Sequence, residues 1–266
     1  MAQEQKRLAL WQGKVETEVE ISGDGPPLLY LHGPWGLAPD LPFIARLGAA
    51  HKVLAPRHPG TSSGAPNAAH AIDTFWDLVV YYGELLDRLD LKSVPIVGHS
   101  FGGLVAAEIA ASMPERAKRL VLIDPVGLWR DDYPVKNWMI MPDAARPQAL
   151  FANPTGEAAR KFFAHPDDKD ARVASIVSFV WAQACTGKYV WPLPDKGLKN
   201  RIHRIAAPTL ILWGKQDGVI SPVYAEEFAR RISGSRAELI DEAGHLPHLE
   251  RGEQVASRVQ RFLAGA

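Results

Sequence analysis

Ser100 lies between glycines in Gly98-His99-Ser100-Phe101-Gly102, where one apolar run, Val94–Gly98, gives way to another, Leu104–Ser112. A strand that turns into a helix within so few residues makes a strained turn. Flanking glycines remove side chains that would collide there. Such a turn lifts the hydroxyl to the end of a sheet and beside a helix N-terminus, where free N–H groups favour developing negative charge. Ser100 therefore reads as a nucleophile. Gly60-Thr61-Ser62-Ser63-Gly64 has the same Gly-x-Ser-x-Gly spacing but is followed by Ala65-Pro66-Asn67, with no apolar helix. Ser62 reads as a turn residue.

A serine hydroxyl is a weak nucleophile until a base takes its proton and an acid orients that base. Of nine histidines, His245 follows the last strand candidate, in a loop that Ala243-Gly244 leaves free to carry the ring over the sheet end. It reads as the base. His99 shares the tight turn with Ser100 and is expected to point elsewhere, into packing or the wall of a substrate pocket. His248, three residues after His245, reads as structural. For the acid, Asp217 follows a strand in a polar turn and is preferred. Asp124, at the end of "LVLID", is the alternative.

The elements that would position these groups are legible as apolar runs. Strands are expected at Val15–Ser22, Leu28–Gly33, His51–Pro56, Val94–Gly98, Arg119–Asp124, Pro208–Gly214 and Arg236–Asp241. Helices are expected at Ile72–Leu89, Leu104–Ser112, Pro222–Ile232 and Glu253–Ala264. Most of the strands are apolar throughout rather than alternating, which predicts a mostly parallel sheet covered on both faces. The alternation of strand and helix fails between Gly127 and Asn200, a stretch with helical fragments and no clear strand. It reads as an insertion.

Composition excludes several functions. The 266 residues allow one large domain with an insertion. Thirty lysines and arginines balance thirty aspartates and glutamates, so nothing electrostatic calls for nucleic acid or an anionic membrane. The one cysteine, Cys185, cannot form an internal disulfide, and no Cys/His cluster has metal spacing. No phosphate-binding glycine loop is present, so neither cofactor nor metal is expected. No apolar run approaches the roughly 18 residues of a membrane span. The first residues lack an apolar signal core. A cytoplasmic protein, monomer or homodimer, acting on a small molecule is expected.

In chain order, "LLYLHG", "HGPWG", "APRHPGTSSG", "GHSFGG", "LWGKQDGVISP" and "AGHLPHLE" fall at spacings similar to those of the α/β-hydrolase fold superfamily. The resemblance runs from Leu28 to the final helix. It implies an eight-stranded, mostly parallel sheet with a helical lid after the sixth strand. The core is then 1–126 and 201–266, and the lid 127–200. It also implies the triad Ser100, Asp217, His245. Relatives such as haloalkane dehalogenases and epoxide hydrolases carry aspartate at the nucleophile position, so Ser100 argues against both. Proline-peptidase relatives usually read "HGGPG" where this chain has "HGPWG". Carbon–carbon bond hydrolases of ring-cleavage products usually carry tryptophan after the catalytic histidine, and Leu246 stands there.

These reactions need an oxyanion hole. The N–H of Phe101 is one donor. Many relatives take the second from the residue after His-Gly, which here is Pro34 and has no N–H. The Trp35 amide is expected to substitute. Four of the eight tryptophans, Trp129, Trp138, Trp181 and Trp191, lie in the insertion. Pro34, His99, Trp129, Trp138 and Leu246 are expected to line the pocket, and Arg130, Lys136, Arg146 and Arg160 offer charges for a substrate carboxylate. The expected activity is carboxylic ester hydrolysis of small to medium apolar or aromatic acyl groups. The alternatives are hydrolysis of vinylogous diketones and, in another class, ligand binding without turnover.

Overall fold

The structure, a computed structural model, describes residues 3–193 and 195–265. Eight strands form one sheet: β1 (Gln3–Leu10), β2 (Val15–Ser22), β3 (Pro27–Leu31), β4 (Lys52–Pro56), β5 (Val94–His99), β6 (Ala117–Ile123), β7 (Thr209–Gly214) and β8 (Arg236–Ile240). Their order is β1-β2-β4-β3-β5-β6-β7-β8. Pairings of β2 with β1 and β4 are antiparallel; the other five are parallel. The mostly parallel sheet expected from the apolar runs is thus present, with one strand more than those runs reveal. β1 pairs with β2 along its whole length, yet Leu8 and Leu10 are its only buried side chains among those described. An edge strand with so little to bury carries a weak hydrophobic signal.

The apolar strands face two cores because successive side chains point to opposite faces. Leu29 and Leu31 of β3 join Ile96, Leu122 and Ile211 on one side. Leu28 and Tyr30 join Val97, Ile123 and Leu212 on the other. Helices α1 (Leu41–Leu47), α2 (Phe75–Arg88) and α3 (Phe101–Ser112) follow β3, β4 and β5. α2 begins three residues later than the periodicity suggests. Thr74 Oγ1 accepts the Asp77 N–H at 3.0 Å and the Asp77 carboxylate accepts the Thr74 N–H at 3.0 Å, a capping box that fixes the start. Between β6 and β7 come α4 (Arg146–Leu150), α5 (Glu157–Phe162) and α6 (Lys169–Val190), with no strand among the described residues. α7 (Val223–Arg231), α8 (Pro247–Glu250) and α9 (Gly252–Ala264) complete the chain. Among the described residues no helix is long and apolar enough to cross a membrane.

Candidate active site

Ser100 occupies the turn between β5 and α3 with φ 51° and ψ −111°, a strained conformation for a residue with a side chain. Two close approaches explain the glycines. A Cβ on Gly98 would lie 2.4 Å from the Gly102 carbonyl oxygen, and one on Gly102 would lie 2.1 Å from that of Leu31. The Ser100 N–H donates to the Ile123 carbonyl at 2.9 Å, and its own carbonyl accepts from Leu104 and Val126 at 3.1 and 3.2 Å. The turn is therefore tied to both β6 and α3. With Leu104 bonded to Ser100, the amides of Phe101, Gly102 and Gly103 are the ones at the helix start that lack an intrahelical acceptor.

The loops after β7 and β8 bring Asp217 and His245 to this turn. Ser100 Oγ donates to His245 Nε2 at 3.0 Å, and His245 Nδ1 donates to Asp217 Oδ2 at 2.7 Å. Asp217 Oδ1 accepts the N–H groups of Val219 and Ile220 at 2.8 and 2.9 Å, which fixes the carboxylate plane. All three side chains are buried. The three residues chosen from sequence are thus brought together in series. Asp124, the alternative acid, lies behind Asp217 and accepts the Gly214 N–H at 2.9 Å. Burial and then the Asp217 charge push its carboxyl well above the usual carboxylate range. Ser62, by contrast, accepts the Glu18 N–H at 3.0 Å and ties a turn to β2.

His99 is turned inward. It is buried, and its Nε2 donates to the carbonyl of His245 at 2.9 Å. The residue beside Ser100 therefore holds the main chain of His245. Burial, then the charges of His248 and His245, keep its imidazole well below the usual histidine range. His248 donates from Nε2 to Asp40 Oδ1 at 3.0 Å, and Tyr30 donates to Asp40 Oδ2 at 2.8 Å. Ligand atoms of Asp40, His99 and His248 come within 4.8 Å of one another, and the His248–Asp40 bond joins two of the three groups.

The loop after β3 is fixed by a second histidine pair. His58 Nε2 donates to the His32 carbonyl at 2.8 Å, and the His58 N–H donates to His32 Nε2 at 3.2 Å. Tyr82 donates to His58 Nδ1. Burial drives the His58 pKa down to about 4. Beyond His32, Pro34 and Trp35 are buried, and the Trp35 ring stands edge-on to His245 at 5.7 Å and to Phe162 of α5 at 5.9 Å. Leu246 is buried beside His245.

Two further residues expected to line the pocket, Trp129 and Trp138, lie between β6 and β7. Trp138 is buried, and Trp129 donates to Asp131 at 2.8 Å. Neither forms a ring pair with Trp35, His99 or His245 among the described residues. Two aromatics of the segment do reach the Ser100 turn or its neighbours: Phe162 stands against Trp35, and the Tyr189 ring stacks on that of Phe101 at 6.4 Å. Arg130 is spent on Asp132 and Glu227, and Arg146 pairs with Asp143. Arg160 donates to the Thr155 carbonyl. A cleft of about 750 Å³ opens between α1, α5 and α8–α9, lined by Phe43, Phe162 and His248 but by no member of the Ser100–His245–Asp217 series.

Sequence reasoning missed Glu250. Its Oε2 accepts the Gly244 N–H at 2.6 Å and the Ala152 N–H at 3.2 Å, and its Oε1 the Asn153 N–H at 3.2 Å. It clasps the His245 loop to the segment between β6 and β7. The only signal was its place two residues beyond His248.

The alpha/beta hydrolase family model matches residues 28–258. The chain is 27% identical to a 2-hydroxymuconate semialdehyde hydrolase of Pseudomonas putida, over 94% of this chain and 91% of that one. It is 27% identical to a pimeloyl-[acyl-carrier protein] methyl ester esterase of Aromatoleum aromaticum, over 90% and 99%. The naproxen esterase of Bacillus subtilis superposes with a TM-score of 0.75 at 19% identity, covering 98% of this chain and 92% of that one. A match over the whole stretch from β3 into α9, on a chain whose sheet order and serine turn are as described, means that the chain belongs to the alpha/beta hydrolase family.

Proposed function

We propose that the protein is a serine hydrolase that cleaves carboxylic esters of small to medium apolar or aromatic acyl groups. The observation that carries this reading is the bonded series Ser100–His245–Asp217, at 3.0 and 2.7 Å. Ser100 Oγ attacks the acyl carbon while His245 Nε2 takes its proton. Asp217 holds the imidazole in the tautomer with a free Nε2 and balances the imidazolium as it forms. The tetrahedral oxyanion collects hydrogen bonds from the Phe101 N–H and the Trp35 N–H. Each such donor is worth roughly 100- to 1,000-fold in rate. His245 then returns the proton to the leaving alcohol. Water, deprotonated by the same nitrogen, releases the acid.

Residues 127–200 act as the lid on a core made of 1–126 and 201–266. Ser100 and His245 have no exposed surface, so substrate entry requires the covering side chains to move, Trp35 and Phe162 first.

Incubation with a fluorophosphonate tests the reading. A single covalent adduct in the intact mass, absent from Ser100→Ala, is expected. A parent protein that takes no adduct would overturn it and favour a ligand-binding role. The second reading is hydrolysis of a carbon–carbon bond in a vinylogous diketone, favoured by the likeness to the 2-hydroxymuconate semialdehyde hydrolase. Leu246 in place of the tryptophan usual there opposes it. Relative kcat/KM on a ring-cleavage keto acid and on aryl and alkyl esters separates the two.

A further inference from the structure

Behind Asp217 lies a second buried carboxyl that the triad does not use. Asp124 directly follows β6 with φ 43°, is wholly buried, and has its N–H bonded to the Leu212 carbonyl at 3.0 Å. Its Oδ1 accepts the Gly214 N–H; its Oδ2 is buried with no donor among the described residues. Oxygens of Asp124 and Asp217 and a ring nitrogen of His245 all lie within 4.8 Å of one another.

The donors around the two acids are unequal. Asp217 receives Val219 N–H, Ile220 N–H and His245 Nδ1–H, as an acceptor-only carboxylate does. Asp124 receives one N–H. Two adjacent buried carboxyls do not both ionise, and the proton stays on the one with fewer donors. The charged and titratable groups facing Asp124 are Asp217, Glu250 and His245. The two carboxylates push its affinity for a proton up, as does burial, and only the Gly214 N–H opposes them.

We propose that Asp124 is a positioning residue that keeps its proton and donates it in a hydrogen bond to Asp217, and that its carboxylate takes over the His245 Nδ1–H when Asp217 is lost. The takeover balances simply. Without the Asp217 charge, Asp124 releases its proton to solvent and accepts the imidazole N–H. This rests on the serine-hydrolase reading for its kinetic half, but not for the proton itself.

The test is a double-mutant cycle, Asp124→Asn, Asp217→Asn and both, read as kcat/KM on an aryl ester and as the rate of Ser100 labelling. In Asp124→Asn the new amide keeps the Gly214 bond and offers a donor to Asp217, so this variant is expected to slow turnover by less than about 3-fold, below the worth of one net hydrogen bond. Asp217→Asn is expected to lose on the order of 100-fold, and the double variant on the order of 10,000-fold, the loss of an imidazole left without an acid. A double variant no slower than Asp217→Asn overturns the takeover.

Infrared difference spectra read the proton without turnover. The wild type is expected to show, near neutral pH, the carbonyl stretch of a protonated carboxyl that Asp124→Asn lacks. If Asp124→Asn does not fold, Asp124→Ser, which keeps an acceptor for Gly214, serves in its place. No such band in the wild type overturns the proposal even if Ser100 labels normally. A band with no labelling upholds the proton and overturns the hydrolase reading alone.

Discussion

Gly102→Ala tests the claim that the Ser100 turn exists only because backbone passes within contact of backbone. The added Cβ would sit 2.1 Å from the Leu31 carbonyl oxygen, 2.4 Å from its carbon and 2.5 Å from the His32 carbonyl oxygen. A carbon needs about 3.5 Å from such neighbours. The start of α3 must then retreat from the end of β3 by about 1 Å, since no flexible side chain is there to yield. Overpacking of this kind costs about 1–3 kcal/mol. With main chain on both sides we expect the upper end. The same shift carries Ser100 away from His245 Nε2 and moves the Phe101 N–H. A misplacement of 1 Å costs on the order of 100-fold in rate. The control is Gly83→Ala, in the middle of α2. There the new Cβ meets the Met113 sulfur at 3.2 Å, the end of a pliable side chain. Replacing a mid-helix glycine by alanine gains about 0.5–1 kcal/mol. Urea unfolding and fluorophosphonate labelling of both variants decide the matter. A Gly102→Ala protein within about 0.5 kcal/mol of the parent and labelled at a similar rate would refute the steric account, the threshold being the usual scatter of harmless substitutions.

His99→Leu leaves the buried His245 carbonyl without its donor. It is expected to cost about 1–3 kcal/mol and to lower kcat more than it raises KM, while His99→Gln, whose amide can donate, restores most of both. Equal behaviour of the two variants would show that His99 only fills space. Glu250→Ala strips the acceptor from the Gly244, Ala152 and Asn153 N–H groups and is expected to destabilise by a similar amount and to speed proteolysis between α4 and α5, read by limited digestion. Acid should unfold the protein early. His32, His58 and His99 are buried with pKa values below that of the free imidazole, so the unfolded chain binds more protons. Stability is then full above pH about 6.5 and falls as pH drops toward 4, with His58 alone worth about 3 kcal/mol at the end of that window. A Tm that does not change between pH 7 and 5 would contradict the assigned neutral imidazoles.

The sequence disclosed those parts of the site whose local chain is distinctive. The turn at Ser100 was legible because apolar runs and glycines meet there in a few residues. Asp217 and His245 were legible because each follows a strand in a polar or glycine-containing loop. β1 was not, because Leu8 and Leu10 are all it is seen to bury. α6 was visible only as helical fragments, since its first half, up to Val180, is largely exposed and has no buried stripe to set a period. Trp129 and Trp138 could be assigned to the segment between β6 and β7 but not to a particular surface. Aromatic content places a residue near a packed surface but does not say which one. Phe162, with nothing to distinguish it in sequence, reaches the site through Trp35. Nor could spacing show that His99 faces a carbonyl 146 residues away.

What went unread shares a physical character. His99 holds the His245 carbonyl, Glu250 the Gly244 amide, Asp217 the Val219 and Ile220 amides, and Asp124 the Gly214 amide. Each is a side chain gripping main chain, so its partner has no residue-type signal at all. The groups proposed to react are consequently positioned by the backbone of three loops rather than by packing of their own side chains. Such a bond is worth little until it is broken in a buried place, where the orphaned group bears its full desolvation cost. Changes at these ties should therefore lower stability and turnover together, whereas removal of the Ser100 hydroxyl should abolish turnover and leave stability nearly unchanged. The ratio of lost rate to lost stability then separates groups that do the chemistry from groups that hold them in place.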